Sequence, residues 1–404
     1  MASFAVRRTL RTYFRAVVVS AAIAASPVVC AQAAPDATTP DAEHLVAEIQ
    51  AEQSRNGPHS ARLIDLLRAL RRSYRDAGDR RLATAATERA LELVRVSSGF
   101  ASLDQAPLLR ELLEDDDARG DTASAGDREQ ALLALAAKNP RDLRTVAIYR
   151  ELADRKMDLH RRFVAGEYAP EIEPPFVAHY TQESLLGQAW NGYWNAISVL
   201  RENGQYSSDE LRDLEMTIVR SAYQAGGAPR ESSQWNYYEV GKRSYQRLLA
   251  DAVEGARPPA DRALAVVEMA DWELLFSRYS AALELYETAH AELEEQAPGD
   301  TSIDRLFAPR IPVVLPTFLA NPLASKPTAE SAPHIDVAFD VDRYGFSRRV
   351  DVVEASAAVS VDAKRELVQA IERSRFRPLF ADGKIAHRSR VVVRYFVSGT
   401  GSEP

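Results

Sequence analysis

The chain has 404 residues, of which 46% are apolar and 27% charged, a mixture that excludes wholesale disorder and divides at this length into two or more hydrophobic cores. Its formal net charge is −8; loss of residues 1–33 would remove Arg7, Arg8, Arg11 and Arg15, four positive charges, and leave −12. An acidic chain without a basic cluster repels phosphate and anionic lipid, so nucleic acid is excluded as a partner.

In chain order, residues 1–33 read as a signal peptide. A basic segment ends at Arg15, an apolar run follows from Ala16 to Val29, and Ala31-Gln32-Ala33 is a small-x-small cleavage site. Cleavage near Ala33 starts the mature chain at Ala34 and places it in the periplasm. The alternative is an inner-membrane anchor: Ala16 to Ala34 is just long enough to span a bilayer, although Ser20, Ser26, Pro27 and Gln32 weaken it. Membrane contact is expected only in that case. Cys30, the one cysteine, follows the bulky Val29, whereas lipoprotein signals resemble a small residue there. The mature chain is then left with no disulfide and no thiol nucleophile.

Residues 34–42, with two prolines, read as a flexible mature N-terminus, and residues 43–296 as an all-helical body, because apolar residues recur there at helical spacing and Gly and Pro fall between the periodic segments. Two stretches share a pattern. In the first, Leu70 and Tyr74 precede Gly78, then Ala83 and Ala90 stand seven apart; in the second, Ala270 precedes Tyr279, Ala282, Tyr286 and Ala289. This spacing resembles the tetratricopeptide repeat, with a departure at Glu273 where an aromatic is usual. Gly120 followed by Ala125 is a fragment of the same kind. A repeat of about 34 residues gives the body room for about seven helix pairs, and an irregular helical bundle is the alternative.

Residues 180–244 hold Trp190, Trp194 and Trp235, three of the four tryptophans. Trp190 and Trp194 lie one helical turn apart, with Asn191 and Asn195 on the adjoining stripe. These five residues are candidate partner-binding positions in a peptide groove, the amides holding backbone and the rings filling pockets; the other reading is helix-packing core.

Residues 297–333 contain seven prolines and read as a linker. Ile311, Val313, Val314, Leu315, Phe318 and Leu319 are too apolar for a free tether and are expected to lie extended against the body; the rest spans roughly 20 Å as a coil.

In residues 334–398 the period changes to two. Ile335, Val337, Phe339 and Val341 alternate with Asp336, Ala338, Asp340 and Asp342, and Asp342-Arg343-Tyr344-Gly345 turns into a second strand. There Phe346, Arg348, Val350 and Val352 are expected on one face and Ser347, Arg349, Asp351 and Val353 on the other. Ser360 caps a helix whose stripe is Ala363, Leu367, Ala370, Ile371 and Ser374; Pro378 ends it, and a last strand puts Val391, Val393, Tyr395 and Val397 on one face. Residues 399–404 read as a disordered tail.

The order strand, strand, helix, strand, together with Phe339, Gly345, Phe376-Arg377-Pro378, Gly383 and the closing Val-Arg-Tyr-Phe, resembles the TonB carboxy-terminal domain. The resemblance covers about the last 65 residues. It implies a peptide-capturing adaptor in which the last strand, Arg390, Val391, Val392, Val393, Arg394, Tyr395 and Phe396, is a sheet edge that pairs with a segment of an envelope protein, such as an outer-membrane transporter. The alternative is that this strand only completes its own sheet. Ser331-Ala332-Pro333-His334 stands where the family has Tyr-Pro, no histidine precedes His44, and helices replace the family's long proline-rich arm, which argues against energy transduction.

No Gly-x-Ser-x-Gly, phosphate loop or His-Glu-x-x-His occurs, and the seven histidines are scattered singly, each expected at the surface. Glu111, Glu114, Asp115, Asp116 and Asp117 lack calcium-loop spacing and read as a solvated loop. The expectation is therefore a noncatalytic protein without cofactor or metal: a multidomain chain, an all-α tetratricopeptide-like solenoid followed by a small α+β domain, acting as a periplasmic interaction scaffold. An inner-membrane-tethered TonB-type transducer of outer-membrane transport is the alternative, and an envelope hydrolase or transferase with its cleft in 180–244 a third reading.

Overall fold

The structure is a computed structural model that describes residues 40–167, 177–226, 236–321, 323, 332–381 and 383–396, with the backbone alone at 177–183. The signal segment 1–33, Trp235, residues 324–331 and the tail 399–404 lie outside the described residues.

The body is helical from Pro40 onward. Its helices are α1 (Pro40–Asn56), α2 (Arg62–Asp76), α3 (Arg80–Ser98), α4 (Ala106–Arg119), α5 (Thr122–Lys138), α6 (Arg144–Val164), α7 (Val177–Glu202), α8 (Asp209–Ala225), α9 (Tyr237–Glu254), α10 (Pro259–Leu275) and α11 (Tyr279–Gln296). A twelfth, α12 (Thr301–Phe307), falls within the range read as linker: Asp300 caps it, and Pro298 and Pro309 stand outside it, so neither proline interrupts it. Among the described residues the body holds eleven helices, fewer than about seven pairs, and α6 and α7 run to 21 and 26 residues. Each helix packs chiefly on the helices before and after it, a solenoid-like arrangement.

A recurring hairpin builds this stack. At the end of α2, Gly78 N–H donates to the Arg75 carbonyl and Asp79 N–H to the Tyr74 carbonyl; the Asp79 carboxylate then accepts from Leu82 N–H to start α3. Gly120 and Asp121 repeat the arrangement between α4 and α5, with Asp121 accepting from Ser124 N–H. Between α10 and α11 the same two backbone bonds form, but Ser277 takes the left-handed position at φ 59°. All three are Schellman closures, joined at Asp79 and Asp121 to a side-chain N-cap worth about 1 kcal/mol and at Arg278 to none. Ala83, Ala90, Ala270, Ala282 and Ala289 are fully buried. Glu273 is also buried, and accepts from the Tyr238 hydroxyl while Lys242 lies 3.3 Å away.

The acidic run 111–117 is not a solvated loop. It lies on α4, where its carboxylates meet arginines of other helices and one of its own: Glu111 and Asp115 pair with Arg71, Asp116 with Arg128 and with Arg119 of the same helix, and Asp117 with Arg155. Burial raises the Asp116 carboxyl above its ordinary pKa despite these cations.

The C-terminal part is strand-rich and sits at the end of the stack. It comprises β1 (Val314–Leu315), β2 (His334–Val341), β3 (Ser347–Ala355), α13 (Val361–Arg373), β4 (Arg375–Phe376), β5 (Leu379–Ala381), β6 (Lys384–Ala386) and β7 (Arg388–Phe396). The main sheet is antiparallel in the order β3-β2-β7, β1 pairs with β4, and β5 with β6. Ile335, Val337, Phe339, Val341, Val393 and Tyr395 form a core under Ile371 of α13, which Ser360 caps by accepting from Ala363 N–H.

The hairpin turn uses Asp342, whose carboxylate accepts from Tyr344 N–H and Phe346 N–H, and Gly345 at φ 76°. Glycine is required there twice over, because a Cβ would also stand 2.1 Å from the Phe376 carbonyl oxygen.

Candidate functional site

β7 has one hydrogen-bonded neighbour, β2, among the described strands, so the other side of its backbone is a sheet edge. Val391, Val393 and Tyr395 turn toward the core, and burial pushes the Tyr395 hydroxyl up to about 12. Arg390, Val392 and Arg394 are exposed on the other face, Val392 at 55%, and Phe396 is half-buried. Arg394 Nε and Nη2 each donate to Asp336 at 2.7 Å, and this hydrogen bonding holds the Asp336 carboxyl below its ordinary pKa. The first residue of the strand is tied back to the body, Arg388 Nη2 donating to the Pro309 carbonyl at 2.7 Å.

A bulge on each side of Asp340 shapes this edge. Arg349 in β3 and Arg390 in β7 both have left-handed backbones, at φ 49° and 42°, where the pairing register slips. The buried Asp340 carboxylate bridges them, accepting from Arg390 backbone N–H at 2.6 Å and from the Arg349 guanidinium. The hydrogen bond from Arg390 N–H is the foremost cause that holds the Asp340 carboxyl below its ordinary pKa, with Arg349 acting in the same direction. The β3 bulge corrects the strict alternation expected there. Arg348 lies opposite Asp340, Ser347 turns inward to donate to the Ile371 carbonyl, and Val350 returns to the core side. Period-two reading fails at a bulge because one extra residue exchanges the two faces.

Of the aromatic candidates, Trp190 is fully buried; its indole N–H donates to Ser221 Oγ at 2.9 Å and Tyr237 packs edge-on at 6.1 Å. It therefore has no surface with which to meet a peptide, and of the two readings it belongs to the core. Trp194 is partly buried against it, 6.5 Å away, while Asn191 and Asn195 are exposed. Two histidines also depart from the surface expectation: His160 is buried, and His290 stacks on Phe380 at 5.3 Å with Phe307 on its edge.

Two contact regions were not singled out from sequence. The first is the junction between the body and the strand-rich part. Arg377, 8% exposed, donates through Nε and Nη2 to both oxygens of Asp271 at 3.0 and 2.5 Å, and the Tyr286 hydroxyl donates to the same carboxylate at 2.5 Å. Burial opposes the Arg377 charge, but Asp271 outweighs it and the pKa rises. Phe380 is buried beside Tyr286, His290 and Phe307, so the β5–β6 hairpin shares a core with α10, α11 and α12. The second is an aromatic cluster of Tyr223, Trp272 and Phe276 that receives Phe318. Trp272 on α10 and Phe276 just past its end stand four residues apart, a spacing as legible as that of Trp190 and Trp194.

Among the described residues, no group of three or more His, Cys, Asp or Glu is placed to hold a metal, and no helix is long and apolar enough to cross a membrane. No family model and no curated protein sequence matches the chain. Solved structures include a similar chain, the crystal structure of BtubC (BKLC) from P. vanneervenii, at 15% identity and a TM-score of 0.33, covering 72% of this chain and 96% of that one.

Proposed function

We propose that the protein is a noncatalytic interaction scaffold of the bacterial envelope, with a tetratricopeptide-like solenoid as its body and a TonB-like C-terminal domain that captures an extended segment of an envelope partner along β7. The observation that carries this reading is the β7 edge: a nine-residue strand, Arg388–Phe396, with one backbone side unpaired among the described strands and Arg390, Val392 and Arg394 exposed. Main-chain hydrogen bonds supply affinity in strand addition, and the side chains flanking the edge supply choice. Docking through Arg377 and Phe380 supports the reading further, since it holds the edge against the body instead of leaving it on a tether.

The test is a photo-crosslinking amino acid at Val392 in intact cells. Crosslinks to an extended segment of an envelope protein are expected, with few from Val353, exposed on the opposite edge strand β3. Equal crosslinking from both positions, or none from Val392, would remove the adaptor reading. Export to the periplasm with loss of residues 1–33 belongs to the same proposal and rests on the charge, apolar run and small-x-small site of that segment. Fractionation with N-terminal sequencing tests it: a soluble species starting at Ala34 is expected, and a membrane-bound species starting at Met1 supports the tethered alternative.

A further inference from the structure

The aromatic cluster on α8, α9 and α10 is built independently of the side chain that fills it. Trp272 is fully buried, its indole N–H donates to the Tyr238 carbonyl at 3.2 Å, and Tyr245 packs 5.8 Å away. Gly241 lets the indole lie against α9, since a Cβ there would stand 2.1 Å from a ring carbon of Trp272. Phe276 packs on the other side of Trp272 at 4.7 Å, and Tyr223 of α8 closes the cluster edge-on at 6.2 Å. Tyr223 and Phe276 remain partly exposed, so the cluster opens at the surface.

Phe318 occupies this opening, edge-on to Tyr223 at 5.5 Å and 6.3 Å from Trp272. The segment that delivers it is held elsewhere. Val314 and Leu315 pair with Phe376 and Arg375, and the Val313 carbonyl accepts from Arg377 N–H at 2.9 Å. Among the described residues, the one backbone bond formed from Pro316 to Ala320 is internal, Leu319 N–H to the Pro316 carbonyl at 3.5 Å. Thr317 and Ala320 are exposed and Phe318 is half-buried. The segment is thus anchored to the strand-rich part by its backbone and to the body by one ring.

We propose that the Tyr223–Trp272–Phe276 pocket is a recognition site for a Pro-x-aromatic segment of a partner protein presented in a tight turn, and that Pro316-Thr317-Phe318 occupies it in cis as an exchangeable plug. The ligand class follows from the occupant: proline opens the turn at low entropic cost, and an aromatic ring fills the pocket edge-on. The plug sets a threshold, because a tethered segment competes at an effective concentration on the order of millimolar. This site is separate from β7, and its failure would leave the strand-capture reading untouched.

The experiment measures binding of a fluorescein-labelled peptide of residues 315–321 (Leu-Pro-Thr-Phe-Leu-Ala-Asn) to the full chain by anisotropy. Phe318→Ala is expected to bind the peptide about tenfold or more tightly than the wild type, because the cis competitor is gone. A peptide with alanine in place of its phenylalanine is expected to bind neither protein. Phe318→Leu, which retains apolar bulk, provides a second variant if the alanine variant is unstable, and is expected to bind between the two. Equal binding by wild type and variant, or equal binding of the phenylalanine and alanine peptides, would show that Phe318 is fixed packing and overturn the proposal.

Discussion

Two phenylalanines from the C-terminal third lie against the helical body, and they are held in different ways. Phe380 is buried among Tyr286, His290 and Phe307, beside an arginine that donates to Asp271 through two nitrogens. Phe318 is half-buried in an open aromatic cluster, and among the described residues its segment makes no backbone hydrogen bond to the body. The difference separates a weld from a contact that exchanges: loss of the first leaves a cavity inside a shared core, whereas loss of the second widens an opening at which Tyr223 and Phe276 already reach the surface.

The largest effect is expected at the weld. Arg377→Met leaves the Asp271 carboxylate buried with the Tyr286 hydroxyl and no cation, a change that costs about 3–5 kcal/mol. Chemical denaturation measures it; a loss below about 1 kcal/mol would mean that apolar packing around Phe380 alone holds the junction. Next comes Gly241→Ala, which drives a methyl into the Trp272 ring and is expected to cost about 1–3 kcal/mol while abolishing peptide binding at the pocket. Phe318→Ala is expected to cost only about 1 kcal/mol, since the ring is half-exposed before it is removed. A loss as large as that from Arg377→Met would erase the distinction between the two phenylalanines.

The smallest effect is expected on the outer face of the sheet, away from both. Asp336 and Asp340 have depressed pKa values in the folded chain, through the Arg394 guanidinium and the Arg390 N–H respectively. A depressed carboxyl stabilises fully above its unfolded value of about 3.9 and loses that contribution as pH falls through the lower folded value. Thermal melts between pH 7 and 3 are therefore expected to fall more steeply for the wild type than for Asp336→Asn, with a small difference because Arg394 is half-exposed. Parallel curves would show that the Asp336–Arg394 pair contributes nothing to folding.

The legible parts of the fold were those written in local pattern. Helical periodicity, the two alanine-spaced pairs and the Ser360 cap each depend on residues within a turn or two, and each stands where the periodicity puts it. The Gly-Asp steps at 78–79 and 120–121 were a further local signal that marks two of the helical hairpins. Less legible was the acidic run on α4, because a row of carboxylates looks the same whether it faces water or the arginines of the next helix. The faces of β3 were legible only as far as Arg349, where one left-handed residue exchanged them.

The candidate sites divide along the same line. Periodicity alone determined the helical body, the strand-rich end, and the inward turn of Val391, Val393 and Tyr395, since burial of alternate residues is a property of a single strand. Only the tertiary structure decided that Trp190 is core, that β7 lies at the sheet edge, and that Arg377 and Phe380 join the two parts. It also decided that Phe318 fills the pocket of Trp272. Asp271 and Arg377 are 106 positions apart, and no local pattern encodes a partner at that distance. Such pairings are set by how the last helices stack, through the shared burial of residues that look unremarkable one at a time.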